Sequence, residues 1–89
     1  MKHTSIKISG KVQGVYFRAS TKNMAEKWDI KGFVRNERDE SVYIEAEGED
    51  ENLKQFVAWC YHGPLHAEVQ HVDLKEGIIQ GFARFEVKR

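Results

Sequence analysis

An α+β fold of element order β-α-β-β-α-β is predicted by stripes of apolar residues at helical spacing, by runs with a two-residue apolar period, and by glycine breaks between them. Ile6, Ile8 and Val12 stand among Ser5, Lys7 and Ser9 with period two, the mark of a half-buried strand. Thr21, Met24, Ala25 and Trp28 then recur at helical spacing, which predicts an amphipathic helix from about residue 19 to 29. Asp29-Ile30-Lys31-Gly32 ends it. Phe33-Val34-Arg35 reads as a short strand and residues 36–40 as a polar turn. Val42, Ile44 and Ala46 alternate with Ser41, Tyr43, Glu45 and Glu47 in the next strand.

Asp50 is the expected N-cap of the second helix. Leu53, Phe56, Val57 and Cys60 lie at i, i+3, i+4 and i+7, and Gly63-Pro64 stops the helix. Ala67 and Val69 share one phase of the following strand, Val72 and Leu74 the other, a slip of the kind a β-bulge produces. Ala83, Phe85 and Val87 alternate in a last strand near residues 82–88. The order fits a ferredoxin-like sandwich, two helices on one face of an antiparallel four-stranded sheet, with an extra C-terminal hairpin strand as an option. No linker or low-complexity tract interrupts the chain, so residues 1–89 are expected to form a single domain.

With 89 residues, 40% hydrophobic and 31% charged, the composition is that of a globular protein rather than a disordered one. Fourteen basic and fourteen acidic residues cancel, which argues against electrostatic attachment to nucleic acid. Cys60 is the only cysteine, so no intrachain disulfide or cysteine metal site is available, and a buried apolar role is expected for it. No apolar run is long enough for a membrane span. Met1-Lys2-His3-Thr4 turns polar-alternating at once without a signal-peptide core, so the expected location is cytoplasmic.

The most informative run is Gly10-Lys11-Val12-Gln13-Gly14-Val15-Tyr16-Phe17-Arg18, between a strand and a helix. Glycines permit a tight turn and a close approach to a ligand, and successive N–H groups in such a turn can converge on an anion. The helix start adds its positive dipole end, and Arg18 a planar charged fork suited to phosphoryl oxygens. A cation in the first helical turn opposes the dipole, which makes sense with an anion between them. The run lacks the Gly-Lys-Ser/Thr of a Walker loop and the glycine spacing of a dinucleotide site.

Asn36, at the end of a short strand, offers an amide that both donates and accepts and could hold a water against a phosphoryl group. No carboxylate or histidine near the loop is an obvious general base, so positioning and electrostatics would have to carry any hydrolysis. His3, His62, His66 and His71 are scattered and are expected on the surface or rim. The acidic run Glu45, Glu47, Glu49, Asp50 and Glu51 reads as a solvated strand end plus favourable helix-start charge, without the spacing of a calcium loop. Trp28, Phe56 and Trp59 read as packing residues, and the stacking aromatics of a ribonucleoprotein domain are missing.

The glycine-bracketed run, followed by Gly32-Phe33-Val34-Arg35-Asn36, closely resembles the two signature stretches of the acylphosphatase family. Asp39, Val42, Glu47-Gly48 and Gly63-Pro64 extend the likeness over nearly the whole chain. The resemblance implies a ferredoxin-like enzyme that hydrolyses the carboxyl-phosphate bond of acyl phosphates to a carboxylate and inorganic phosphate, with no metal and no cofactor. It implies a phosphate-binding loop at Gln13, Gly14, Val15, Tyr16, Phe17 and Arg18, acting mostly through backbone N–H groups. Arg18 takes the place of the catalytic arginine that clamps the phosphoryl oxygens, and Asn36 that of the asparagine that orients water. The resemblance further implies that the substrate's own phosphate takes the water's proton. The partners so implied are a small acyl phosphate as substrate, with inorganic phosphate or other anions as product or inhibitor; nothing in the sequence suggests an obligate dimer, and a monomer is expected. The alternative is a module that binds a small anion or carbamoyl phosphate without hydrolysing it. Two positions depart from the family pattern. Asp39-Glu40 replaces the usual Asp-Gly, and Asp29 stands where the first helix usually ends in glycine. Both are expected to touch stability and loop geometry rather than the identity of the site residues. Tyr16 occupies a variable loop position and could narrow the mouth of the site.

Overall fold

The computed structural model describes residues 1–89. Its elements are β1 (Lys2–Lys11), α1 (Phe17–Lys27), β2 (Lys31–Asn36), β3 (Val42–Gly48), α2 (Asp50–Cys60), β4 (Glu68–Gly77) and β5 (Phe85–Val87). The strands form one sheet in the order β4-β1-β3-β2-β5. β1 runs antiparallel to both β3 and β4, and β2 antiparallel to β3, which is the ferredoxin-like arrangement. The sheet is mixed rather than wholly antiparallel, because β5 pairs parallel with β2. The extra strand is therefore not a hairpin on β4. It lies at the opposite edge, and residues 78–84 must cross the sheet to reach it.

Period two accounts for the core. Ile6 faces Ile44 and Leu74, Ile8 faces Val42 and Val72, and Val34 faces Ile44. Ile6, Ile8, Val34, Val42, Ile44 and Ala46 are all fully buried. The helices lay Phe17, Thr21 and Ala25 from α1 and Leu53, Phe56 and Cys60 from α2 against this face. Trp28, Val57 and Trp59 pack around the edge, and Cys60 is a buried apolar residue whose thiol is pushed well above its usual range by that burial.

The phase slip in β4 is a bulge. Ser9 pairs with His71 and Gly10 with Val69, leaving Gln70 unpaired. Gly10 makes the bulge feasible: it sits at φ 128°, and a Cβ there would lie 2.2 Å from the carbonyl oxygen of Glu68.

The helix ends differ in an informative way. α2 begins after Glu49, its N-cap, so Asp50 is the first helical residue rather than the cap, and it joins Glu51 as first-turn negative charge. α1 has no acid in its first turn, and its N-cap is Tyr16 in a left-handed conformation with no side-chain cap. At its other end Ile30 N–H reaches the Ala25 carbonyl (2.8 Å) and Asp29 N–H the Glu26 carbonyl (3.3 Å), a Schellman closure with Asp29 at φ 54°.

The helix-free face corrects two expectations. His3 is buried rather than on the rim, and Glu45 and Glu47 are buried rather than solvated. His3 contacts both carboxylates, Ser5 Oγ and Tyr43 Oη donate to Glu45, and Glu47 accepts from the backbone N–H groups of Gln80, Gly81 and Phe82. Glu47 thus pins the 78–84 crossing to the middle of the sheet. Phe82 covers this anchor, stacking 6.2 Å from His3 and edge-on to Phe33 at 5.9 Å.

Candidate active site

Because β1 and β2 both oppose β3, they point the same way, and β5 is parallel to β2. The C-terminal ends of all three strands therefore meet at one end of the sheet, where ligand crevices form in such folds. The loop after β1, Asn36 at the end of β2, and Val87 and Arg89 at and just beyond the end of β5 line a single cleft of about 910 Å³. Spacing alone left the approach of Asn36 to the loop open; strand direction supplies it.

The loop is held by alternation. Val12, Val15 and Phe17 are buried, with the Phe17 ring 5.5 Å from that of Trp59, while Gly14 and Tyr16 point outward. Gly14 takes φ 73° and Tyr16 φ 61°, turns that direct successive amides to one side. From Gly14 to Ala19 no N–H group donates to any backbone carbonyl, and the first bond of α1 runs from Ser20 N–H to the Tyr16 carbonyl at 3.0 Å. Arg18 follows on the first turn, and its Nη1 donates to the Lys88 carbonyl at 3.0 Å. No acidic side chain and no histidine lines the cleft, whereas Arg18 and Arg89 both do. The arrangement is an anion cradle of backbone donors with a guanidinium beside it.

Of the residues expected in the loop, Gln13, Gly14, Tyr16, Phe17 and Arg18 line the cleft together with Asn36. Val15 does not: its side chain anchors the loop in the core, and only its N–H remains for a ligand. The Gln13 amide donates to the carbonyls of Glu37 (3.0 Å) and Ser41 (2.9 Å). It therefore braces the loop against the β2–β3 turn. That turn is stabilised in its own right. Lys7 Nζ lies 2.8 Å from Asp39, and Lys7 and Ser41 together hold the Asp39 carboxyl far below its usual range. Glu40 completes the turn at φ 73°, the conformation a glycine would take without strain. Ala19, Val87, Arg89 and the Lys88 carbonyl are cleft components that the sequence did not reveal. Lys88 acts through its backbone, which carries no residue-type signal.

The acylphosphatase family model matches residues 4–87. The chain belongs to the acylphosphatase family. An acylphosphatase of Rubrobacter xylanophilus is 43% identical over 88 residues, covering 98% of this chain and 80% of the relative. The crystal structure of acylphosphatase from Bacillus subtilis superposes with a TM-score of 0.97 at 32% identity, covering all of both chains. The same fold recurs within a larger protein: full-length HypF, in its phosphate- and nucleotide-bound form, matches 99% of this chain at TM-score 0.89 and 27% identity, over 12% of its own length. Membership of the acylphosphatase family makes this chain an enzyme, a hydrolase. No helix is long and apolar enough to cross a membrane.

Proposed function

We propose that the cleft hydrolyses the carboxyl-phosphate bond of acyl phosphates, with Arg18 and the loop N–H groups holding the phosphoryl group and Asn36 orienting the attacking water. The observation that carries this reading is the unpartnered run of N–H groups from Gly14 to Ala19, beside Arg18 in a cleft lined by no acidic side chain. Fixed donors aimed at phosphoryl oxygens stabilise charge as it develops there and need no reorganisation during the reaction. The Asn36 side chain, across the cleft and without a partner in the protein, is free to hold a water by its amide. The water oxygen bonds to phosphorus as the bond from phosphorus to the acyl oxygen breaks, and the carboxylate leaves with that electron pair. The water's proton passes to a phosphoryl oxygen, consistent with a lining that offers no side-chain carboxylate or imidazole as base.

The reading takes residues 1–89 as one domain that acts as a monomer in the cytoplasm. The test is hydrolysis of benzoyl phosphate in the presence of a chelator, followed by loss of its ultraviolet absorbance. Turnover is expected. A folded protein that binds inorganic phosphate without turnover would instead be a small-anion or carbamoyl-phosphate binding module.

A further inference from the structure

We propose that the ring of Tyr16 forms the acyl-side wall of the cleft and selects acyl phosphates with planar, aromatic acyl groups. This deepens the reading above and rests on it. The cleft is far larger than a phosphoryl group, so most of it is left for the acyl part of a substrate. Its surface beyond the donors is partly apolar, with Ala19 and Val87 among the lining. Tyr16 is the large side chain at its mouth and is 83% exposed. No other aromatic ring packs against it and its hydroxyl bonds to no protein group, so neither packing nor hydrogen bonding in the free protein explains the ring.

Its backbone is nevertheless rigidly placed. Tyr16 is the N-cap of α1, its carbonyl takes the first bond of that helix, and buried Val15 and Phe17 flank it. It sits at φ 61° and ψ 25°, a left-handed conformation that residues with a Cβ seldom take and that tends to persist at functional sites. An unpartnered ring on a fixed backbone beside a phosphoryl cradle lies within reach of whatever group the phosphate carries. A flat acyl group gains a stacking contact there that an acetyl group cannot make.

The experiment is the ratio of kcat/KM for benzoyl phosphate to that for acetyl phosphate, in the wild type, Tyr16→Phe, Tyr16→Ala and Tyr16→Asn. A ratio is used because any disturbance of the loop backbone lowers both substrates together and cancels. Tyr16→Ala should lower the ratio about fivefold, the size of one aromatic contact, while Tyr16→Phe keeps it. Tyr16→Asn, which tolerates the left-handed backbone, should lower it as alanine does. An unchanged ratio in both ring-less variants, with an active wild type, overturns the proposal. A wild type inactive on both substrates overturns the hydrolytic reading itself, so the two failures are distinct.

Discussion

Nδ1 of His3 lies 2.6 Å from Oε2 of Glu47, and both side chains are only 2% exposed. The other ring nitrogen faces Glu45, so the imidazole bridges the two carboxylates. Burial alone would push the Glu47 carboxyl up. The N–H groups of Gln80, Phe82 and Gly81, together with His3, outweigh that and hold it below its ordinary value. Glu45 is lowered too: Tyr43, Ser5 and His3 overcome the same burial penalty. Carboxyls lowered in the folded state add stability that is fully present above their unfolded pKa of about 4.3 and is lost as pH falls through the folded values.

Stability should therefore fall on acidification below about pH 4.5, and Glu47→Gln should flatten that fall. At neutral pH the same variant should cost about 3 kcal/mol, since it leaves His3 and the 80–82 amides around an uncharged group. Urea midpoints at pH 7 and pH 4 measure both. An acid slope identical to wild type would remove Glu47 from the account.

Glu40 and Asp29 both hold left-handed backbone, at φ 73° and φ 54°. Asp tolerates that region better than Glu, so the two substitutions should not be equal. Glu40→Gly should stabilise by about 1 kcal/mol and Asp29→Gly by a few tenths, roughly, with the exposed Asp29–Lys31 pair a small loss. Thermal or urea unfolding decides, and the reverse order would show that strain is not what limits these turns.

Gln13→Ala removes both bonds from the loop to the β2–β3 turn. The expected cost is about 1–2 kcal/mol of stability, because the Ser41 end is buried. Phosphate affinity should also weaken, though less than on loss of Arg18. Calorimetric titration with inorganic phosphate reads it, and unchanged affinity would limit Gln13 to a structural brace.

Arg18→Ala and Asn36→Ala should fail differently. Loss of the guanidinium should weaken inorganic phosphate binding by about 10- to 100-fold, with turnover falling too. Loss of the amide should leave phosphate affinity close to wild type and lower kcat by about a hundredfold or more. Equal losses of phosphate affinity in the two variants would contradict this division of roles.

Much of this was legible in the residues. The stripe of Leu53, Phe56 and Cys60, the alternation of Val42, Ile44 and Ala46, and the slip between Val69 and Val72 each have one physical reading, and each matches the observed element. The glycine-bracketed loop was equally plain, since its local backbone needs are written in its composition. What could not be read depends on which strands become neighbours. Period two sends Glu45 and Glu47 to the face opposite the core, but only the 78–84 crossing makes that face an interior. The parallel edge strand and the Arg18–Lys88 bond arise in the same way, from chain returning across a distance that local patterns do not encode.

The sheet order also bears on how the chain reaches its native state. β1, the first strand in the chain, takes an inner place between β3 and β4, so Ile6 must wait for Ile44 and Leu74. Such pairings close long loops before they gain anything, and folds dominated by them are slow folders. The cleft draws on the loop after β1, on Asn36 and on Val87 and Arg89 at the end of the chain, so no autonomous fragment of the chain can contain it. In refolding from denaturant, the capacity to bind phosphate should emerge late and in step with closure of the β5 edge, which makes ligand binding a kinetic probe for the last part of the sheet to assemble.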